Sequence, residues 1–201
     1  MEIQEYRGIR GLVAAEVTKD DNETSGGYVT GTPFAVCGVA ELSRTTETSS
    51  EAHYYDNVPA VVIDSTGSDE VTITGSAIPF DVLAKLTGQY YDTTTGMLVE
   101  GERESKYFAI GYITKKTDGS EVFVWRLKGK FNIPDSTHRT EDDGTDAEGQ
   151  ELVFTGINTS HKFTKTGKTA KAVNVDTSVH AQTESTFFAT VKTPDTVTVS
   201  A

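Results

Sequence analysis

The side chains that most often carry chemistry are few and dispersed in this sequence. The four histidines, His53, His138, His161 and His180, lie in separate segments, and no His-x-x-x-His or Cys-x-x-Cys spacing is present to hold zinc. The single cysteine, Cys37, lies in a valine- and alanine-rich run with no adjacent cation, so it is predicted to be a small buried side chain. These residues therefore predict neither a metal site nor a nucleophile.

Two charged patterns allow more than one interpretation. The acidic segment Glu141–Glu148 lacks the alternating acids of a calcium-binding loop, so it is predicted to be a solvated loop. A basic strip recurs at every third residue, and it is either a solvated turn or a contact surface for the acidic half of a neighbouring copy. The strip consists of Lys162, Lys165, Lys168 and Lys171.

The sequence contains no Gly-x-Ser-x-Gly nucleophile elbow and no glycine-rich phosphate loop before a helix. An enzyme is therefore disfavoured, and no cofactor is predicted. Two alternatives to a structural protein stay open, namely a β-sandwich adhesion or carbohydrate-binding module and a small β-barrel enzyme. The first of these usually presents a cluster of exposed aromatic side chains, whereas the single tryptophan, Trp125, lies beside Phe123 and Val124 in a predicted strand.

The composition predicts the elements that must position these residues. The 201-residue chain contains 31 threonines and 20 valines but only 7 leucines. β-Branched side chains lose little rotamer freedom on a pleated strand and crowd a helix, so this balance is typical of an all-β domain. One domain covering residues 1–201 is expected from the length.

The charge is distributed unevenly along the chain. The net charge is −12, and residues 1–104 contain 18 acids and 6 bases, whereas residues 105–201 contain 12 of each. A protein that grips the phosphate backbone needs a basic surface, so specific nucleic-acid binding is not expected. The apolar runs are also far shorter than the roughly 20 residues that a membrane helix needs.

Period-2 alternation and the strand spacing predict a β-sandwich or barrel, with one short helix over residues 79–87 that ends at Gly88. Thr117-Asp118-Gly119-Ser120 predicts a tight turn between two of the strands. The predicted strands are Ile9–Val17, Phe34–Ser43, Ala60–Asp64, Glu70–Thr74, Tyr107–Thr114, Val122–Asn132, Glu151–Lys162, Ala170–Val175 and Thr186–Lys192.

Three polar stretches are predicted to be long loops, over residues 19–27, 44–59 and 135–149, and the second of them is predicted to be either an extended loop or a hairpin. Residues 193–201 alternate like an edge strand or an arm. Aromatic side chains give a large contact area for little lost entropy, so Tyr54 and Tyr55 in the second loop are predicted to make contacts.

The order of several short motifs resembles the major tail protein (tail tube protein) family of phages with long non-contractile tails. The resemblance covers most of residues 8–165, while residues 172–201 match no motif. The motifs are Gly11-Leu12, Tyr28-x-x-Gly31-Thr32-Pro33, Ala40-Glu41-Leu42, Tyr55-Asp56-Asn57, Ala84-Lys85-Leu86-Thr87-Gly88, Tyr107-Phe108-Ala109-Ile110-Gly111-Tyr112, Lys128-Gly129-Lys130-Phe131-Asn132-Ile133-Pro134 and Glu151-Leu152-Val153-Phe154-Thr155-Gly156.

This resemblance implies a tail-tube fold, with two antiparallel sheets packed into a sandwich or partly closed barrel and a flanking helix. It implies hexameric rings that stack into the tube through which DNA reaches the host, and partners that include the tape measure, tail terminator and distal tail proteins. The expected location is the virion tail, after synthesis in the host cytoplasm. No catalytic residue or cofactor comes with the family.

Three sets of residues become candidate contacts under this interpretation. The set predicted to lie between rings is Thr46, Glu51, Tyr54, Tyr55 and Asp56. The four lysines of the basic strip are predicted to contact a neighbouring subunit. Acids predicted to face the lumen and keep it non-adhesive toward DNA are Glu41, Glu100, Glu102 and Glu104.

Overall fold

Strands dominate the computed structural model, which describes residues 3–22, 26–136 and 149–198. It is 53% strand and 7% helix, which confirms the predicted mainly-β fold. The strands are β1 (Tyr6–Asp20), β2 (Tyr28–Thr30), β3 (Phe34–Ala35), β4 (Val39–Tyr55), β5 (Val58–Gly75), β6 (Tyr90–Asp92), β7 (Met97–Val99), β8 (Phe108–Lys116), β9 (Glu121–Phe131), β10 (Gln150–Gly156) and β11 (Ala172–Asp176), and the helices are α1 (Phe80–Thr87) and α2 (Glu184–Phe187).

The main sheet has the order β2-β1-β8-β9-β10-β5-β4, and β6 and β7 form a separate small hairpin. All of the strand pairings between these elements are antiparallel. One edge of β9 is shared, because its Val122–Arg126 portion pairs with β11 and its Gly129–Phe131 portion pairs with β10. The main sheet therefore branches at β9.

The two faces of β8 and β9 carry separate hydrophobic clusters. Successive strand residues point to opposite faces, so Tyr112 and Val124 lie in one cluster whereas Ile113 and Trp125 lie in the other. The first cluster also contains buried side chains of β5, β10 and α1. The second is covered by the C-terminal segment through Phe187 and its neighbours. Trp125 is fully buried, as expected from its place in the hairpin.

The predicted turn between β8 and β9 is confirmed. The two strands pair directly on either side of it, and Gly119 has a φ of +88°. Asp118 accepts a hydrogen bond from the backbone N–H of Ser120 at 2.8 Å. The turn therefore depends on a backbone conformation that glycine adopts more readily than other residues.

Replacing Gly119 by valine is expected to destabilise the subunit by about 1–2 kcal/mol, because a β-branched side chain disfavours a positive φ. Chemical denaturation measures the change. Gly101→Val is the matched control, since Gly101 also faces open space but does not have a positive φ. Equal stability of the two variants would show that the turn tolerates the side chain.

The predicted helix is also confirmed as α1. It begins after Pro79 and ends at Gly88, whose φ of 74° lies in the left-handed region. The N–H of Gly88 donates to the carbonyl of Ala84 at 2.8 Å, and a Cβ at position 88 would lie only 1.9 Å from the carbonyl oxygen of Glu104. Both conformation and close packing therefore favour glycine at this position.

Two predicted strands near the C-terminus are wrong in extent or type. The prediction Thr186–Lys192 is wrong, because this segment contains the end of α2 and then no strand. The adjacent rings of Phe187 and Phe188 both contact Phe123, an arrangement that an alternating strand does not give. The strand predicted over Glu151–Lys162 ends at Gly156 as β10.

Other boundaries also differ from the predictions. Ala60–Asp64 and Glu70–Thr74 are parts of the single strand β5, whereas Phe34–Ser43 is divided between β3 and β4. The predicted loop 19–27 begins only after Asp20, the last residue of β1. The acidic segment Glu141–Glu148 lies outside the described residues.

The described part of the C-terminal arm folds back onto the body of the subunit. Residues 194–196 form a turn, and Asp195 accepts hydrogen bonds from the backbone N–H groups of Thr164 and Lys165 at 2.9 and 2.7 Å. Val197 packs against the second hydrophobic cluster. Residues 193–198 therefore contain no edge strand.

Candidate functional site

A long hairpin projects from the main sheet where an extended loop or a hairpin was predicted. Residues 44–59 form the hairpin and not a loop, because they belong to β4 and β5, which pair from Val39 and Gly75 to a turn at Asp56-Asn57. Both turn residues have positive φ values, 51° and 64°, as a tight two-residue hairpin turn requires. We call residues 47–67 the projecting hairpin.

Every residue of the projecting hairpin is exposed. Its base half is polar, and the hydroxyls of Ser49 and Ser65 lie 2.7 Å apart across the two strands. Such cross-strand pairs stabilise a ribbon, although a two-stranded ribbon alone is only marginally stable in water. An extended ribbon without a covering layer is therefore a surface that a partner would stabilise.

The tip half of the projecting hairpin is apolar. Tyr54 and Tyr55 are each 66% exposed. Large apolar side chains gathered on a solvent-facing element mark an interaction surface. The exposed apolar side chains of the tip are Tyr54, Tyr55, Val58, Val61, Val62 and Ile63.

The projecting hairpin is also acidic. Residues 47–67 contain four acids, Glu47, Glu51, Asp56 and Asp64, and no lysine or arginine. Four of the five residues predicted to lie between rings are on this ribbon, and the fifth, Thr46, lies at its base. The four are Glu51, Tyr54, Tyr55 and Asp56. The structure therefore brings the predicted set together on one element.

The basic strip is divided by the structure. Lys162, Lys165 and Lys168 are exposed around a turn in which Phe163 and Lys168 form a β-bridge. Lys171 instead lies within the subunit, where its Nζ is 3.2 Å from a carboxylate oxygen of Asp69. Three lysines of the strip are thus exposed for a partner, and the fourth is engaged in an internal ion pair.

Asp69 is the centre of a charge cluster that no local sequence pattern predicts. Its carboxylate accepts a hydrogen bond from Arg126 at 2.8 Å and lies 3.7 Å from a guanidinium nitrogen of Arg44. Burial alone would raise the pKa of Asp69, but hydrogen bonds from Lys171 and Thr46 and the charges of Lys171 and Arg126 lower it below 3.8. The carboxylate therefore stays ionised among three cations.

One sequence signal could have suggested this cluster. Arg126 follows Trp125 inside a strongly apolar strand, and it is only 6% exposed in the structure. A charged residue in such a strand needs a buried partner of opposite charge. Asp69 lies 57 residues away and has no local pattern that marks it as that partner.

The four candidate lumen acids are all exposed. Glu41 lies on β4, whereas Glu100, Glu102 and Glu104 lie in the segment between β7 and β8. The backbone N–H of Glu104 donates to the carbonyl of Gly88 at 3.0 Å, which ties this segment to the end of α1. These three acids share one short segment, and Glu41 belongs to a different element.

A comparison with protein families supplies the decisive observation. The model of the family described as phage tail tube protein matches residues 23–193, which is most of the 201-residue chain. The chain belongs to the phage tail tube protein family. A comparison with curated proteins gives no match. The family assigns this tail tube protein a structural role in the virion tail, in assembly with copies of itself and other tail components.

Within residues 3–22, 26–136 and 149–198, no group of three or more His, Cys, Asp or Glu side chains is arranged to hold a metal ion. Burial raises the pKa of the Cys37 thiol, which makes it a poorer nucleophile. None of the described helices is long and apolar enough to cross a membrane.

Proposed function

We propose that this chain, acting as one tail-tube domain over residues 1–201, forms hexameric rings that stack into the tube through which phage DNA reaches the host. The projecting hairpin is the observation that carries this proposal. The ribbon is acidic and apolar, and it is exposed along its whole length. Such a ribbon is more stable against a partner than alone in water, and the next ring would be that partner. The exposed residues Lys162, Lys165 and Lys168 supply complementary charge for a neighbouring copy.

The edges of the main sheet support closure into a ring. The sheet order places β2 at one end and the 17-residue strand β4 at the other. A long strand at a sheet edge presents unpaired backbone groups that invite association with another chain. In a closed ring, each of these edges is paired with or covered by the neighbouring subunit. No free edge then remains within the ring to recruit further copies.

Electron microscopy of the purified protein tests this proposal. We expect rings with six-fold symmetry and tubes of uniform width. A subunit that remains monomeric at high concentration, with no rings or tubes, would contradict it.

An adhesion or carbohydrate-binding module, the alternative from the sequence, predicts monomers that bind glycans. The adjacent residues Tyr54 and Tyr55 point to opposite faces of a strand, and so do not form one flat sugar platform.

The acids Glu100, Glu102 and Glu104 are proposed to face the lumen and to deny DNA an adhesive surface. Changing Glu100 and Glu102 to lysine is expected to leave tubes intact but to make them retain DNA at low salt. Phosphate contacts weaken with salt at a slope of roughly −0.9 per contact, so retention should disappear as salt is raised. DNA co-sedimentation with the tubes measures it.

The matched control is a pair of lysine substitutions at Thr93 and Thr95, which are exposed in the turn between β6 and β7. These changes add the same type of side chain outside the acidic segment. Equal DNA retention by both variants, or none by either, would contradict a lumen position for Glu100 and Glu102.

A further inference from the structure

A cavity of about 900 Å³ opens at the base of the projecting hairpin. It is lined by the start of β1, by β4 and β5 near Thr46 and Thr66, and by one face of β8, β9 and β11. We call this cavity the base pocket. It is large enough to hold several side chains, within the range of 300–1,000 Å³ that ligand pockets cover.

The base pocket combines apolar walls with a basic interior. Ile9, Val122 and Val124 contribute apolar surface, and Tyr6, which is 71% exposed, stands at the pocket. The charged lining residues are three cations and two acids, so the lining has a net charge of +1 in a chain whose net charge is −12. These charged residues are Arg44, Arg126, Lys171, Asp69 and Glu41.

The ion cluster around Asp69 is more basic than the lining as a whole, and its side chains range from the buried Arg126 to the half-exposed Arg44. Asp69 alone balances Arg126, Lys171 and Arg44, which leaves two positive charges in excess in the ion cluster. Cations held in a partly dry pocket attract an acidic partner more strongly than cations in open water. The pocket therefore fits an occupant that presents aromatic or aliphatic side chains together with carboxylates.

The tip of the projecting hairpin has these properties. It carries Tyr54, Tyr55 and exposed valines, it has Glu51 and Asp56 close by, and residues 47–67 contain no cation from lysine or arginine. From these complementary surfaces we infer that the base pocket of one subunit receives the hairpin tip of a second copy. This inference rests on the proposed stacking of rings and names the contact that would hold them.

The separation of tip and base makes the contact intermolecular. Asp56 lies ten residues beyond Thr46 along β4, a distance of about 33 Å at the rise of an extended strand. A tip cannot reach its own base pocket over a straight ribbon of that length.

Tip-to-base contacts join copies head to tail, and such contacts repeat without limit when they do not close. The expected ring-to-ring step is then set by the length of the hairpin, about 30–35 Å.

Cysteine cross-linking tests the inference in assembled tubes. In a Cys37→Ala background, Ala60→Cys places a thiol near the tip, and Asn174→Cys places one at the pocket. Ala60 lies six residues from Thr66 along β5, toward the hairpin turn, which corresponds to about 20 Å. A disulfide between positions 60 and 174 therefore has to join two copies. Oxidation of tubes should convert most of the protein into a ladder of covalent multimers, which a reductant collapses to monomer.

The control pairs Ala60→Cys with Thr93→Cys, which is exposed but does not line the pocket. Tubes of the test variant that give no ladder, or a ladder equal to that of the control, would overturn the inference while the proposed tube function stands. Failure of the Cys37→Ala parent to form rings or tubes would instead count against the proposed function. The two failures are therefore distinguishable by microscopy before oxidation.

Discussion

A subunit without its projecting hairpin is expected to fold and to form no tubes. Replacing Glu47–Ser68 by Asn-Gly joins Thr46 to its cross-strand partner Asp69 through a two-residue turn. The removed residues through Gly67 are all exposed and bury no core side chain, and the Gly67 carbonyl accepts a hydrogen bond from Lys171, so the free energy of unfolding should fall by about 1–2 kcal/mol. Electron microscopy should nevertheless show that tube formation is lost.

The matched control exchanges only the turn, with the substitutions Asp56→Asn and Asn57→Gly. Asn-Gly adopts the same pair of positive φ values, so the ribbon should keep its length and its register. This variant should form tubes, although the lost Asp56 charge is expected to weaken them. Normal tubes from the shortened subunit would contradict a role for the hairpin in stacking.

Replacing Asp69 by alanine is expected to cost about 3–5 kcal/mol of folding stability, since it leaves Arg126 buried without its carboxylate. The side chains of Asp69 and Arg126 are only 5% and 8% exposed, and their ion pair measures 2.8 Å. Denaturant titration measures the loss. Asp64→Ala on the projecting hairpin is the control, and an exposed site of this kind should change stability by at most about 0.5 kcal/mol.

The pH dependence provides a second measure of Asp69. Because its pKa is lower in the folded subunit than the ordinary value of 3.8, its contribution to stability is complete above that value. The contribution is lost as the pH falls through the lower pKa of the folded state. Wild type and Asp69→Ala should therefore converge in stability toward low pH, and a constant difference down to acid pH would contradict the ion pair.

Local signals predicted part of the fold well. Asp118-Gly119 between two alternating strands and Gly88 after a short amphipathic run each fix a backbone conformation through the residues themselves. The β-branched composition likewise predicted strands because threonine and valine favour a pleated chain in most contexts. These features depend on neighbours in sequence, which a single sequence displays.

Local sequence patterns alone could neither fix the projecting hairpin nor predict the ion cluster. The run Arg44–Pro59 is polar at its start, so its sequence predicts either an extended loop or a hairpin, and only its pairing with β5 decides between them. Lys171 looked like one of four equivalent surface lysines, but Asp69, 102 residues away, holds it inside the subunit. Both outcomes depend on tertiary contacts, which no local pattern reports.

The exposed hairpin also gives the subunit an unusual protease profile. No lysine or arginine occurs between Arg44 and Lys85, so trypsin has no cleavage site anywhere in the projecting hairpin. Chymotrypsin, which cuts after aromatic residues, meets Tyr54 and Tyr55 beside the hairpin turn, where each is 66% exposed. Chymotrypsin should therefore cleave the free subunit near its hairpin turn, whereas a subunit whose tip is covered should resist cleavage. Parallel digestion with the two enzymes would then distinguish free from assembled subunits without microscopy.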